Sequence, residues 1–157
     1  MVRDAPAVRS AGPGDAPVVA RLLHDFNTEF ATPTPGVDVL AARLERLLAE
    51  PVTTALLAGD PAVGVALLTR RPNVWYDGPV ALLDELYVAP HLRGRGIGGA
   101  LMRRLLTDAV EEGVSLVEIN VDEGDTDARR FYTRHGFTDI DPDSGERALY
   151  LQREPNR

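Results

Sequence analysis

The chain contains no cysteine, and all 17 of its basic residues are arginine, so it contains no lysine either. Without cysteine there are no disulfides, no thiolate zinc or iron–sulfur sites and no cysteine nucleophile. Without lysine there is no Schiff-base catalysis and no lysine-dependent phosphate loop. Positive charge is scarce too. Seventeen arginines stand against 24 acids, a net charge of −7, and this argues against general nucleic-acid binding. Long apolar runs are also missing; no stretch approaches the ~18 residues of a membrane span. The first residues, Met1-Val2-Arg3-Asp4-Ala5-Pro6, lead into no apolar segment, so no signal peptide is expected. A cytoplasmic location is the default expectation.

What is present suits a single domain spanning residues 1–157 with its own core. Hydrophobic residues make up 44% and charged residues 26% of the chain, as in ordinary globular proteins. Periodicity predicts an extended segment at 7–9 and a helix from about 16, capped by Asp15. A second helix is expected over 37–50, ended by Pro51. Strands are predicted at 53–58 and 62–69 around the turn Gly59-Asp60-Pro61, then at 80–88. A long helix runs to about 112 with Gly113 beyond its end. A strand at 114–121 and a helix at 126–135, capped by Asp125, follow. Two more strands, 137–140 and 147–151, are expected around the turn at 141–145. Hairpins followed by one strand–helix–strand crossover imply a mixed, mostly antiparallel sheet with helices packed on it.

The most informative stretch is Arg93-Gly94-Arg95-Gly96-Ile97-Gly98-Gly99. Glycines permit positive φ and close approach of a ligand to the backbone. The helix that follows offers unpaired N–H groups and the positive end of its dipole. That combination makes a site for phosphate or pyrophosphate. Arg93, Arg95, Arg103 and Arg104 add positive charge with no acid among residues 93–104. Gly94-x-Gly96-x-x-Gly99 also satisfies the dinucleotide fingerprint. That motif belongs directly after the first strand of a repeated βαβ fold, whereas here Pro90-His91-Leu92-Arg93 intervene past mid-chain.

The longer segment Asp84-Glu85-Leu86-Tyr87-Val88-Ala89-Pro90-His91-Leu92-Arg93-Gly94-Arg95-Gly96-Ile97-Gly98 closely resembles the core motif of the GCN5-related N-acetyltransferases. Ala128-Arg129-Arg130-Phe131-Tyr132-Thr133-Arg134-His135-Gly136-Phe137 resembles the second motif of that family. The order of elements matches the acyl-CoA N-acyltransferase fold, an α/β (α+β) architecture. The resemblance implies acetyl-CoA as co-substrate and a primary amine of a small molecule or peptide as acceptor. It implies that the backbone of Leu86, Tyr87 and Val88 pairs with the pantetheine arm, in a splay between strands 80–88 and 114–121. It implies that amides of Arg93, Gly94, Arg95, Gly96, Ile97, Gly98 and Gly99 hold the pyrophosphate. Tyr132 takes the position of the general acid. Asp125 stands where many relatives carry an asparagine that contacts the cofactor arm, so it brings a charge and loses an amide donor.

Chemistry sets further expectations. With no cysteine, direct attack in a ternary complex is favoured over an acyl-cysteine intermediate. Glu85 is the expected base, directly or through a water, because it interrupts an apolar strand where burial raises a carboxyl pKa. Asp84 has the opposite strand parity, so only one of the two is expected to face a cleft. Glu118 is a third choice. His24, His91 and His135 are scattered, and no metal site is suggested. Residues 118–146 hold nine acids and three arginines, a local charge of −6; this is a solvated acidic face or a means of steering a cationic amine. Phe26, Phe30, Trp75 and Tyr76 lie in segments that flank the acceptor cleft in relatives. Dimers are common in the family, but the sequence carries no independent sign of one. The alternative reading is a catalytically quiet acyl-CoA-binding or sensory domain.

Overall fold

The computed structural model describes residues 6–157. The expectation about a leader segment falls on Met1 to Ala5 and lies outside them. The chain forms two compact units, Met1–Ile119 and Asn120–Arg157.

The first unit is built on a five-stranded sheet. Its strands are β1 (Val8–Ser10), β2 (Thr53–Ala58), β3 (Gly64–Arg71), β4 (Val80–Val88) and β5 (Leu116–Ile119), side by side in chain order. β1 to β4 are antiparallel and β5 runs parallel to β4. A parallel pair needs a long crossover, and the helix α3 (Ile97–Glu111) supplies it. The helices α1 (Ala16–Glu29) and α2 (Val37–Leu47) connect β1 to β2. The mixed, mostly antiparallel sheet flanked by helices is the expected architecture.

Strand alternation sends the core to two faces. On one, Ala55, Leu57, Val65 and Tyr87 pack with Ala16, Val19, Ala20 and Leu22 of α1 and Leu44 of α2. The other face carries α3, whose Leu101, Met102 and Leu105 are fully buried. Each such side chain contributes about 1.5–3 kcal/mol by leaving water. Gly64 sets the approach of α3: a Cβ there would lie 3.1 Å from Leu101 and 3.2 Å from Ile97.

Some boundaries differ from the sequence reading. Asp15 precedes α1, but its side chain makes no cap bond to that helix. It turns back to accept from the Gly12 amide at 2.9 Å and to pair with Arg9 at 2.8 Å. α2 stops at Leu47, and residues 48–50 form turns. β3 starts at Gly64 because Val63 N–H donates to Ala58 C=O and closes a longer turn. β5 starts at Leu116 because Val114 N–H donates to Ala109 C=O, which makes Val114 part of the end of α3.

A larger difference lies inside β4. Glu85 pairs with Leu67, yet the next pair is Leu83 with Leu68, so Asp84 is an extra, bulged residue. Simple alternation fails there. Asp84 and Glu85 therefore do not point to opposite faces. Asp84 Oδ2 accepts the Thr69 hydroxyl at 2.5 Å. Thr69 shares a face of β3 with Leu67, the register partner of Glu85. Both carboxylates thus lie on the α1 side of the sheet.

The second unit contains one helix, α4 (Thr126–Arg134), and a short hairpin. Asp125 caps α4 as expected, its Oδ1 accepting the Ala128 amide at 3.0 Å. The two strands expected at 137–140 and 147–151 reduce to a single bridge, Ile140 with Arg147. Asp141 closes the turn by accepting the amides of Asp143 and Ser144. Leu149, Tyr150 and Leu151 are exposed, so no buried face holds a longer ladder in register. Arg147 pairs with Glu123 and Asp139, and Arg130 with Asp127. These ion pairs occupy part of the acidic run.

Candidate active site

The glycine loop joins β4 to α3 through one 3₁₀ turn, Pro90–Leu92. Gly94 has φ +75° and Gly96 φ +83°, conformations that favour glycine. A Cβ at either would meet nothing within 4 Å, so these glycines serve the turn and leave the space above it open. Gly96 is the N-cap of α3, and no side chain caps the helix. The first bond of the ladder runs from Ala100 N–H to Gly96 C=O at 3.0 Å. The amides of Ile97, Gly98 and Gly99 precede it at the positive end of the helix.

The four arginines near this loop do not act as a group. Arg93 is anchored: Nε donates to the Val88 carbonyl at 2.9 Å and Nη2 pairs with Glu29 of α1 at 2.7 Å. Its guanidinium lies 5.5 Å from the centre of the Tyr87 ring. Arg104 points to β1, donating to Val8 C=O at 2.8 Å, and pairs with Asp108 at 2.9 Å. Among the described residues, neither Arg95 nor Arg103 has an ion-pair partner.

Beside the loop, the sheet is open along one edge. β4 pairs with β5 only from Val80 to Leu83. From Glu85 to Val88 it keeps its β3 partners and has none in β5. The family resemblance implies a splay between these two strands. Leu86, Tyr87 and Val88 lie on that unpaired edge, next to the loop.

Glu85 is half-buried on this stretch. Burial, and next the charge of Asp84, push its carboxyl above the usual range. Glu118, the other candidate base, is committed to Arg71 at 2.8 Å. Tyr87 is buried with 4% exposure, and its phenol is raised by burial and then by Glu29 and Asp25. Asp84 was expected on the opposite face from Glu85, and the Glu29 anchor was not foreseen in the sequence. The one signal for the first was two adjacent acids in an apolar strand.

In the second unit, Tyr132 lies in the last turn of α4. Its ring meets Phe131 at 5.4 Å and Phe137 at 5.8 Å, both edge-on. The Asp125 carboxylate is engaged as the cap of α4.

The four aromatic residues expected near an acceptor fall into two places. Phe26 packs edge-on against Tyr87 at 5.2 Å and tilted on Phe30 at 5.4 Å, near the loop end of β4. Trp75 and Tyr76 precede Val80, at the opposite end of that strand, which rises about 23 Å from Val80 to Tyr87 at ~3.3 Å per residue. There Asn73 Oδ1 accepts both their amides at 2.8 Å. Tyr76 lines an open cavity of about 360 Å³ with Pro51, Val52, Pro72 and Pro79. The register of the strand separates the two pairs.

His24 shares a hydrogen bond with Thr34 at 3.2 Å, and the His135 ring sits 4.6 Å from Phe131. Among the described residues no three His, Asp or Glu side chains gather as a metal site. No helix among them is long and apolar enough to cross a membrane.

The chain is similar to known proteins. The chain is 47% identical over 115 residues to a GCN5-like protein acetyltransferase of Mycobacterium tuberculosis, covering 56% of each chain. It is 52% identical to a solved protein of Arthrobacter sp. FB24, an acetyltransferase by assignment, with a TM-score of 0.90 over 98% of this chain and 99% of that one. An aminoglycoside acetyltransferase from an uncultured soil metagenomic sample, solved with sisomicin, shares the fold at a TM-score of 0.80 and 18% identity, covering 98% and 99%. The chain spans only a little over half the length of the curated relatives it matches, 56% and 60% for two of them. The model of the acetyltransferase (GNAT) family matches residues 19–137, which include the bulged strand, the glycine loop and α4, and the chain belongs to that family.

Proposed function

We propose that the protein is an N-acetyltransferase that moves the acetyl group of acetyl-CoA to a primary amine of a small molecule or peptide. One observation carries this reading. The edge of β4 over residues 84–88, unpaired with β5, leads through the glycine loop to the uncapped amides of α3. An acyl-CoA suits that path. Its amide-bearing arm can add to the open edge as a strand would, and its pyrophosphate can take the amides of Ile97, Gly98 and Gly99. The open space at Gly94 and Gly96 accommodates it.

Acetyl-CoA supplies the activated acyl carbonyl. The chain's own groups manage protons. Glu85, held above the usual carboxylate range, takes a proton from the ammonium form of the acceptor, directly or through a water, so that a neutral amine attacks. Tyr132 donates its hydroxyl proton to the sulfur as the C–S bond breaks, and the N–H proton released as the C–N bond forms restores it. That role rests on its motif position. Direct attack in a ternary complex fits a chain without cysteine. Residues 1–157 are proposed to act as one N-acetyltransferase domain.

The test is thiol release from acetyl-CoA with a panel of amines that includes polyamines, aminoglycosides and peptide N-termini. Release that depends on both substrates is expected. Calorimetric binding of acetyl-CoA without release for any amine would overturn the assignment in favour of a quiet acyl-CoA-binding domain.

A further inference from the structure

The bulge in β4 brings two adjacent carboxylates to one side of the sheet. Asp84 is inserted between the pairs Leu83–Leu68 and Glu85–Leu67. Its carboxylate is fixed by the Thr69 hydroxyl at 2.5 Å. Glu85 follows directly, on the same face and half-buried. A regular strand would have sent Asp84 to the α3 side, behind the sheet.

We propose that Asp84 is a positioning residue for Glu85: the bulge holds a fixed negative charge beside it, and this charge governs when Glu85 releases its proton. Like charge disfavours ionisation of a neighbour. Burial first, and then the charge of Asp84, act on Glu85. The charged groups on the elements packed around it are engaged as follows. On the same face, Arg71 of β3 is paired with Glu118 of β5. From α1, Asp25 and Glu29 act on Tyr87, and Glu29 also holds Arg93; His24 bonds Thr34. On α3, across the sheet, Arg104 is paired with Asp108. The bulge therefore adjusts the base, in addition to shaping the open edge.

This inference rests on Glu85 as base, and its test keeps the two apart. The full chain, labelled with ¹³C in glutamate side chains, is titrated by NMR as wild type, Asp84→Asn and Asp84→Glu, with Glu85→Gln identifying the Glu85 signal. The Glu85 midpoint is expected to fall by roughly half a unit to one unit in Asp84→Asn, the scale of one screened charge a few ångströms away. Asp84→Glu keeps the charge and is expected to restore most of the shift. An unmoved midpoint in Asp84→Asn overturns the inference. The acidic limb of kcat/KM, measured on the same proteins, addresses the base separately. If it follows the NMR midpoint, both stand. If the midpoint moves and the limb does not, the charge coupling holds, while Glu85 as base, and with it Asp84's role in the reaction, falls.

Discussion

Arg93 and Glu29 form an ion pair at 2.7 Å that ties the last residue of α1 to the glycine loop. The same guanidinium holds the Val88 carbonyl at the end of β4 and covers the Tyr87 ring. One side chain thereby sets helix, strand and loop against each other. Both partners are partly exposed, at 42% and 24% for Arg93 and Glu29, so the pair is worth no more than about 1 kcal/mol. Glu29→Gln is expected to raise KM for acetyl-CoA by about two- to fivefold through a less ordered loop, with a smaller effect on kcat. Steady-state thiol release at varied acetyl-CoA checks it. An unchanged KM would mean that the loop holds its shape without α1.

The loop's own backbone gives a sharper test. Gly96 has φ +83° with open space around it, so alanine there costs conformation and causes no clash. Left-handed backbone costs an L-residue about 1–2 kcal/mol. Gly96→Ala should weaken acetyl-CoA binding by roughly tenfold, the equivalent of ~1.4 kcal/mol. Asparagine tolerates this conformation better, so Gly96→Asn should retain more affinity than Gly96→Ala. Calorimetry on the two variants decides. Equal losses would point to contact with the added atoms and away from strain.

Much of this was legible in the letters, for physical reasons. β2 and β4 run over the expected residues, because breakers bound their apolar runs. The glycine loop was legible because turn chemistry is local. The bulge was not, since it is a property of the pairing between β3 and β4, which local alternation does not encode. The arginines misled for a related reason. Four charges lie close in sequence, yet Arg104 faces β1 and Arg93 is neutralised by Glu29. Trp75 and Tyr76 were grouped with Phe26 by segment, while nine residues of β4 hold the pairs apart. At the C-terminal end, 147–151 has strand-like residues, but nothing local shows whether a partner will cover them.

Glu85 bears on stability through its half-buried carboxyl. Its carboxyl is raised above the ordinary value of 4.5, so the native state binds its proton more tightly than the unfolded state does. Stability from this group is fully present below 4.5 and is lost as pH rises through the raised value. Near pH 8 the ionised side chain costs stability. Glu85→Gln removes that cost, and a gain of about 1–3 °C in Tm is expected, since ~1 kcal/mol moves a chain of this size by a few degrees. The gain should shrink towards pH 4. The same variant should lose kcat by about a hundredfold or more if Glu85 is the base. Thermal melts against pH, beside thiol-release rates, read both effects; a variant less stable at pH 8 would contradict the first.

Tyr132 calls for a variant that preserves its packing. The ring is held edge-on by Phe131 and Phe137, and phenylalanine keeps both contacts. Tyr132→Phe is therefore expected to fold, and its melting temperature reads what the hydroxyl adds to stability. What it lacks is the hydroxyl proton. An acid that acts only as charge builds on sulfur contributes to the transition state and little to the ground state. The expected result is a fall in kcat of about a hundredfold, with acetyl-CoA affinity within twofold of the wild type. The deficit should be smaller with an acyl donor whose thiol is more acidic, because that leaving group needs less help from a proton. Comparing acetyl-CoA with a thioester of lower thiol pKa, in wild type and variant, separates acid catalysis from a general disturbance of α4. A loss of equal size with both donors would remove Tyr132 from the chemical step.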